Sequence, residues 1–307
     1  MKSYKKPACK NWNPAFGPLK SPHLCKKVWK IDRFAACQSL SNCTSMQLRI
    51  FQVDAFTGQL FKGNPAAVVP LEKWLPDDLM RSIALENNLS ETAFFVKTEK
   101  GYHIRWFTPA CEVNLCGHAT LATAHVLWQH LRFSENEISF HSHSGLLGVK
   151  KEGDWYTLDF PTDQIEPVQT PEIIEKSLGL RPAETWKGRE DYLVLVENQS
   201  VIETLKPDFR TMSGLKSRGV LVTAKGTDTD FVSRCFFPAF GIDEDPVTGS
   251  AHTTLTPFWA KKLGKTAFTA RQISPRGGFL KCKLDGERTT ISGQAITYME
   301  GTVQVNW

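Results

Sequence analysis

A short motif occurs twice in this chain, and the repeat constrains the fold more than any other feature of the sequence. The first copy reads Arg-x-Phe-x-Pro-Ala from Arg105 and closes on Gly-His-Ala at residues 117–119. The second copy starts at Arg234 and closes on Gly-Ser-Ala at residues 249–251, so its arginine and glycine are 15 residues apart rather than 12. Two copies of one motif predict a chain built from two similar halves.

Both copies share one local pattern. An aromatic, extended run stops at a proline, which cannot donate to a strand ladder, and a helical pattern begins after the glycine. Helix N-termini carry unpaired N–H groups and the positive end of the helix dipole, so they bind carboxylates. A single Gly-x-Ala is more often an ordinary turn, but the repeat favours two helix starts that face each other and bind one small acid. The predicted substrate-binding residues are Gly117, His118, Gly249 and Ser250.

The remaining pattern predicts an α+β fold, in which each half is mostly antiparallel sheet with one buried helix, because strands and helices do not alternate as in a parallel sheet. Strands are predicted at residues 48–55, 89–96, 102–108, 138–143, 146–150, 155–160, 192–197, 219–224, 230–237 and within 267–305. Helices are predicted at residues 76–87, 117–131, 171–178, after Pro207 and at 250–263. The helix from Gly117 has almost no charged face and should be surrounded by protein, and Pro257 should kink the last helix.

We expect domain boundaries at residues 46–160 and 161–307, with the last strands able to complete the first domain. Residues 1–45 hold nine of the 37 Lys/Arg, one of the 32 acids and four of the eight cysteines. They show no sustained hydrophobic period, which is typical of a disordered extension. Alternatively, translation starts at Met46. A transit peptide is conceivable for residues 1–45 because acids are nearly absent, but arginine is scarce and the helical pattern is poor.

Several functional classes are disfavoured. The chain lacks a Gly-x-Gly-x-x-Gly after a strand and a Walker loop, so we expect no nucleotide cofactor. The chain also lacks the Gly-x-Ser-x-Gly motif that carries the nucleophile of many hydrolases. The basic residues after Met46 are not clustered as they are in nucleic-acid-binding proteins. No apolar run approaches the roughly 18 residues of a membrane span.

The sequence also predicts no metal site. His141 and His143 lie on one strand face, but a third ligand is missing. The later cysteines fit neither a zinc pattern nor a disulfide framework, and they indicate a reducing, cytoplasmic location. These cysteines are Cys111, Cys116, Cys235 and Cys282.

Three residues are candidate catalysts: Glu91, His118 and Asp245. Glu91 is flanked by Leu89 and by the apolar residues 93–95. If its carboxyl points inward, loss of solvation favours the protonated form, which can exchange a proton with carbon near neutral pH. His118 and Asp245 lie close to the two helix starts and could position or relay that proton. Taken singly, each is more simply a structural polar residue, and the repeat shifts the interpretation towards function.

Five motifs in order carry a resemblance to a known family. They are Asn-Pro-Ala-Ala-Val from Asn64, Asn-Leu-Ser-Glu-Thr-Ala-Phe from Asn88, Arg-Trp-Phe-Thr-Pro from Arg105, Leu-Cys-Gly-His-Ala-Thr from Leu115 and Glu-Asp-Pro-Val-Thr-Gly-Ser from Glu244. From about Met46 to its C-terminus the chain resembles the phenazine-biosynthesis isomerase-like family, within the diaminopimelate epimerase-like fold.

The resemblance implies two domains, each a sheet rolled round a central helix, with the active site between them, usually in a homodimer without a cofactor. The family's phenazine enzyme isomerises a dihydro-hydroxyanthranilate, and the glutamate of its Ser-Glu-Thr motif carries the proton. That glutamate matches Glu91. The family's Gly-His, its aspartate and its Gly-Ser match the predicted residues 117–118, Asp245 and 249–250.

One departure from the wider superfamily bears on the mechanism. Amino-acid epimerases of this fold use two cysteines on opposite sides of the α-carbon. Cys116 matches the first, but the second position is Thr248, so a two-thiol racemisation is disfavoured and Cys116 is interpreted as a packing residue. The leading hypothesis is an isomerase that moves a proton between carbons of a small carboxylic acid. The alternatives are an epimerase or racemase that uses Glu91 with a different base, and a non-catalytic scaffold that keeps the fold.

Overall fold

A computed structural model describes residues 45–306 of the protein. The predictions for the N-terminal extension lie outside these residues. None of the helices within 45–306 combines the length and apolar character needed to cross a membrane.

The first half contains eight strands and two helices. Its strands are β1 (Ser45–Ala55), β2 (Asn64–Leu71), β3 (Glu91–Thr98), β4 (Gly101–Phe107), β5 (Glu112–Val113), β6 (Glu137–Ser142), β7 (Gly145–Glu152) and β8 (Trp155–Pro161). Its helices are α1 (Asp77–Asn87) and α2 (Gly117–Gln129). The predicted strands and helices of this half are all present, with ends that differ by a few residues.

The second half repeats this content with more short elements. Its strands are β9 (Glu166–Pro167), β10 (Glu184–Lys187), β11 (Asp191–Leu195), β12 (Gly219–Lys225), β13 (Phe231–Phe237), β14 (Ile242–Asp245), β15 (Ala267–Gln272), β16 (Gly278–Asp285), β17 (Arg288–Gly293) and β18 (Ala295–Asn306). Its helices are α3 (Glu172–Leu178), α4 (Gln199–Thr204), α5 (Phe209–Met212) and α6 (Ala251–Leu263). The sequence interpretation missed β9, β10, β14 and α4, which are too short to show a clear period. In the first half it did not assign β2 and β5 as strands.

Strand pairing follows the same order in both halves. The antiparallel pair β1–β2 is followed by the parallel pair β2–β3 and the antiparallel pair β3–β4. The series β10–β11, β11–β12 and β12–β13 repeats these directions. The parallel pair β4–β6 around α2 corresponds to the parallel pair β13–β15 around α6. The predicted α+β fold with two similar halves is therefore confirmed.

The last strand crosses from the second half to the first. After β8 the chain enters the second half, where β9 pairs with β10, and after β17 it returns so that β18 pairs with β1. The halves are also joined directly, because β8 and β17 pair antiparallel with Leu158 opposite Ile291. The whole set forms one 18-stranded hydrogen-bonded network.

The two central helices lie inside this sheet. In α2 every residue from His118 to Trp128 is buried, as the missing charged face predicts. In α6 the apolar residues Leu255, Phe258 and Trp259 are buried, and the helix ends at Gly264 in a left-handed conformation. This helix runs through Pro257 without a break. Its predicted kink stays a prediction.

The arginine of each motif copy holds the loop that leads into the central helix. Arg105 makes a two-point hydrogen bond to Glu112 of β5, at 2.7 and 2.6 Å, and a third bond of 2.9 Å to Asp77. Arg234 binds Glu244 of β14 in the same way, at 2.7 and 2.8 Å. Because Glu244 directly precedes Asp245, the second pair also positions a candidate catalytic residue.

Arg234 is doubly fixed. Its Nη1 donates to the carbonyls of Ile202 and Leu205 at the end of α4, at 3.0 and 2.8 Å. The side chains of Arg234 and Glu244 are only 11% and 12% exposed. A pair buried to this extent leaves an uncompensated charge when one partner is removed.

We predict that Arg234→Gln lowers the free energy of unfolding by about 3–5 kcal/mol, the typical cost of breaking a buried ion pair. The matched control is Arg288→Gln. Arg288 pairs with Asp159, and these two side chains are 48% and 50% exposed. This substitution should cost about 1 kcal/mol or less. Urea unfolding of the full chain measures both values. Equal losses would contradict a structural role for the repeated arginine.

Candidate active site

The N-termini of α2 and α6 face each other between the two halves. A methyl group added at Gly117 would lie 3.9 Å from the Cα of Gly249, and one added at Gly249 would lie equally close to the Cα of Gly117. The rings of Phe160 and Phe56 border the same two glycines, at 3.7 and 3.4 Å from the added carbons. The first-turn amides of both helices lack partners within the helix and carry its positive end. Two sets of anion-binding N–H groups therefore converge at one place.

Glu91 and His118 are brought together at this junction. Glu91 starts β3, where residues 92–95 are buried, and His118 lies in the first turn of α2. The Nε2 atom of His118 is 3.3 Å from the Oε2 atom of Glu91, and the two side chains are 7% and 14% exposed. Neither atom has an aligned hydrogen-bond partner among the described residues. Both atoms therefore have unused hydrogen-bonding capacity.

Burial moves the pKa values of this pair in opposite directions. Loss of solvation, with the nearby negative charge of Asp245 as a smaller cause, raises the pKa of Glu91 to about 8. The same loss of solvation lowers the pKa of His118 to about 3. Both groups are therefore predominantly neutral at pH 7, and their contact is not an ion pair. A carboxyl group with a pKa near neutrality can both give and take a proton.

Asn64 links this pair to the second half. Its Nδ2 donates to Asp245 Oδ1 and to the carbonyl of Val247, both at 2.9 Å, and lies 3.4 Å from His118 Nδ1. Burial raises the pKa of Asp245, whose other oxygen accepts from the hydroxyl of Thr248. Asn64 was recognised as part of a motif, but the sequence interpretation gave it no place in the site.

Gln272 fixes the turn that carries Asp245, and no sequence signal identified it. Its Oε1 accepts from the amide of Thr248 at 2.8 Å, and its Nε2 donates to the carbonyl of Asp245 at 2.7 Å. In the sequence it is one polar residue in a closing strand. A surface depression of about 670 Å³ lies beside this residue, lined by residues 57–59 and 271–279 among others. Neither Glu91 nor His118 lines it, so the candidate catalytic pair is closed over.

The remaining predicted residues differ in their surroundings. Cys116 is buried, and loss of solvation raises the pKa of its thiol well above the usual value, which makes it a poor base. Its counterpart Thr248 hydrogen-bonds Asp245. The hydroxyl of Ser250 accepts from Arg218 at 3.3 Å, so it lies at the start of α6 but faces a cation.

One group of residues could hold a metal ion. Within residues 45–306, Glu91, Cys116 and His118 form the one set of three ligand-type side chains whose donor atoms all lie within 4.8 Å of one another. His141 and His143 do not belong to such a set.

Comparisons with known proteins agree with this architecture. The model of the family described as phenazine biosynthesis-like protein matches residues 53–301. A Pseudomonas aeruginosa protein named an uncharacterized isomerase is 52% identical over 260 residues, which is 85% of this chain and all of that protein.

The fold similarity extends to solved structures. A phenazine biosynthesis protein of Enterococcus faecalis has a TM-score of 0.83 at 46% identity over 85% of this chain and all of that chain. A hydroxyproline epimerase of Agrobacterium vitis has a TM-score of 0.56 at 14% identity over 84% of this chain and 93% of that chain, which shows a common fold alone. The repeated halves, the opposed helix starts and these matches together place the chain in the phenazine biosynthesis-like family, as an isomerase of that family.

Proposed function

We propose that this protein is a cofactor-independent isomerase that moves a proton between carbons of a small carboxylic acid, with Glu91 as the general acid and base. The observation that carries the proposal is the buried contact between Glu91 and His118, in which facing polar atoms have no hydrogen-bond partner among the described residues. Such groups are retained where a ligand completes their hydrogen bonding.

The substrate carboxylate is bound by the helix starts. Gly117 and His118 begin α2, Gly249 and Ser250 lead into α6, and the two glycines approach each other closely. A carboxylate at this junction would accept hydrogen bonds from the N–H groups of both helix starts. Arg218 lies behind Ser250, but it is paired with both Asp191 and Glu190, so it adds no net positive charge there.

The proton then moves by way of Glu91. Its carboxylate form takes a proton from an activated carbon, which breaks a C–H bond and leaves an anion delocalised over the conjugated acid. The resulting carboxylic acid exchanges its proton with solvent and gives a proton to a second carbon on that face, so no electrons are gained or lost overall. The neutral imidazole of His118 positions the Glu91 carboxyl, and Asp245 acts through Asn64, which lies between it and the imidazole ring.

The same geometry disfavours epimerisation through two thiols. The position opposite Cys116 holds Thr248, whose hydroxyl already donates to Asp245. An epimerase needs one acid and one base on opposite faces of the carbon. Glu91 supplies a proton carrier on one face.

We predict that Glu91→Gln lowers turnover by at least about 10²–10⁴-fold, the usual contribution of a positioned acid–base group, while ligand binding is kept. Acids that raise the melting temperature of the wild-type protein supply the substrates. Deuterium uptake from D₂O into those acids, followed by mass spectrometry, measures turnover. The matched control is Glu99→Gln at an exposed position, and retained activity in Glu91→Gln would refute the mechanism.

The raised pKa of Glu91 predicts a pH-dependent stability difference. Between about pH 4.5 and 8 the folded protein keeps this proton and the unfolded chain releases it. Wild-type stability therefore falls with rising pH relative to Glu91→Gln, by at most about 1.4 kcal/mol per pH unit.

Urea unfolding from pH 4.5 to 9 measures this difference. It should widen up to about pH 8 and then level off. Glu99→Gln should show no such divergence from the wild type. A constant difference between wild type and Glu91→Gln would contradict the burial of this carboxyl group.

Solvent isotope placement separates isomerisation from epimerisation. We predict that deuterium enters at a carbon different from the one that loses hydrogen, because a single carboxyl group carries the proton across one face. NMR of the product locates the label. Label at one unchanged carbon with inverted configuration would instead favour an epimerase.

A further inference from the structure

We propose that Glu91, Cys116 and His118 form a binding site for Zn²⁺, and that the bound ion competes with the carboxylate substrate. The binding site stands on its own geometry. The competition rests on the proposed function, because it assumes that substrate and ion occupy the same junction.

The three side chains already have the spacing of a compact ligand set. Cys116 Sγ is 3.5 Å from His118 Nδ1, and Glu91 Oε2 is 3.3 Å from His118 Nε2. Ligands at 2.0–2.3 Å from a tetrahedral zinc ion lie about 3.5 Å apart. The two distances involve different ring nitrogens, and only one of them can bind the ion. With one donor atom from each residue, the three atoms lie within 4.8 Å of one another, so the side chains have to draw together by about 1 Å to reach the zinc spacing.

Unpaired buried atoms provide a second observation. Glu91 Oε2 and His118 Nε2 are buried without a hydrogen-bond partner among the described residues. A buried polar atom left in this state is costly, and a metal ion satisfies it as a water or ligand would. Neither atom has to give up a hydrogen bond when the ion binds.

Charge and ligand type select the ion. A thiolate and a carboxylate neutralise Zn²⁺, so the loaded site has no net charge to bury. The combination of sulfur, imidazole nitrogen and one carboxylate suits zinc, whereas Mg²⁺ and Ca²⁺ need several oxygen ligands. Three protein ligands leave a fourth position open, as in zinc sites that bind an exogenous ligand.

That fourth position gives the competition its physical basis. The ion would use the Glu91 carboxylate that otherwise carries the proton, and it would lie at the start of α2 where the substrate carboxylate binds. Cys116 is poorly suited to act as a base. As the third ligand, it is the residue that makes zinc binding possible beside Glu91 and His118.

The test is titration of the full-length, metal-stripped protein with Zn²⁺ by calorimetry, without substrate. We expect one ion bound per chain at residues 45–306, and binding weakened by about 100-fold or more in Cys116→Ser and in His118→Asn. Cys111→Ser is the matched control, because Cys111 is an exposed cysteine five residues away. Cys111→Ser should leave zinc binding at the site unchanged, and Mg²⁺ should not bind to the site.

Cobalt keeps the proposal testable if a variant fails to fold. Wild-type protein loaded with Co²⁺ should show a thiolate-to-metal absorption band, and circular dichroism checks each variant. Absence of that band, binding that survives Cys116→Ser, or binding lost only in Cys111→Ser would overturn the site.

The activity measurement is separate. Zn²⁺ should raise the apparent KM for an acid that raises the melting temperature of the wild-type protein, and EDTA should reverse this effect. Inhibition that lowers only kcat would overturn the competition. An active Glu91→Gln variant would refute the proton mechanism without affecting the calorimetric result.

Discussion

The side-chain amide of Asn64 is the interaction on which the site depends, because it joins the two halves where the candidate catalytic groups lie. It reaches from β2 to Asp245 and to the carbonyl of Val247 in the second half, and it lies beside the ring of His118. At this junction the side chains of Glu91 and His118 are only 14% and 7% exposed. This burial raises the pKa of Glu91 to about 8 and lowers the pKa of His118 to about 3.

The repeated arginine gives the junction its rigidity. In each half it holds the acid of the short strand that precedes the central helix, Glu112 in the first and Glu244 in the second. The motif glycines allow the two helix starts to approach within contact distance. The motif that appeared to be a signature of function thus has two physical roles, since the arginine fixes the loops and the glycine lets the two helix starts come into contact.

The neighbours of Cys116 in the structure change the role that can be assigned to its thiol. Its high thiol pKa disfavours a role as a free base, which agrees with the absence of a second cysteine at Thr248. The same sulfur lies 3.5 Å from an imidazole nitrogen, near a carboxyl group with an unpaired oxygen. A residue that is inert in proton transfer can still be a metal ligand, because a cation stabilises the thiolate that burial disfavours.

The sequence by itself determined the two-half architecture, the central helices and the positions of Glu91, His118 and the two glycine turns, because periodicity, helix-end residues and a repeated motif are local features. Tertiary structure alone decided the direct pairing of β8 with β17 and the places of Asn64 and Gln272. It also decided that Glu91 faces His118. These features depend on which distant strands pair and on how far each side chain is removed from water, and neither quantity is encoded in a local pattern.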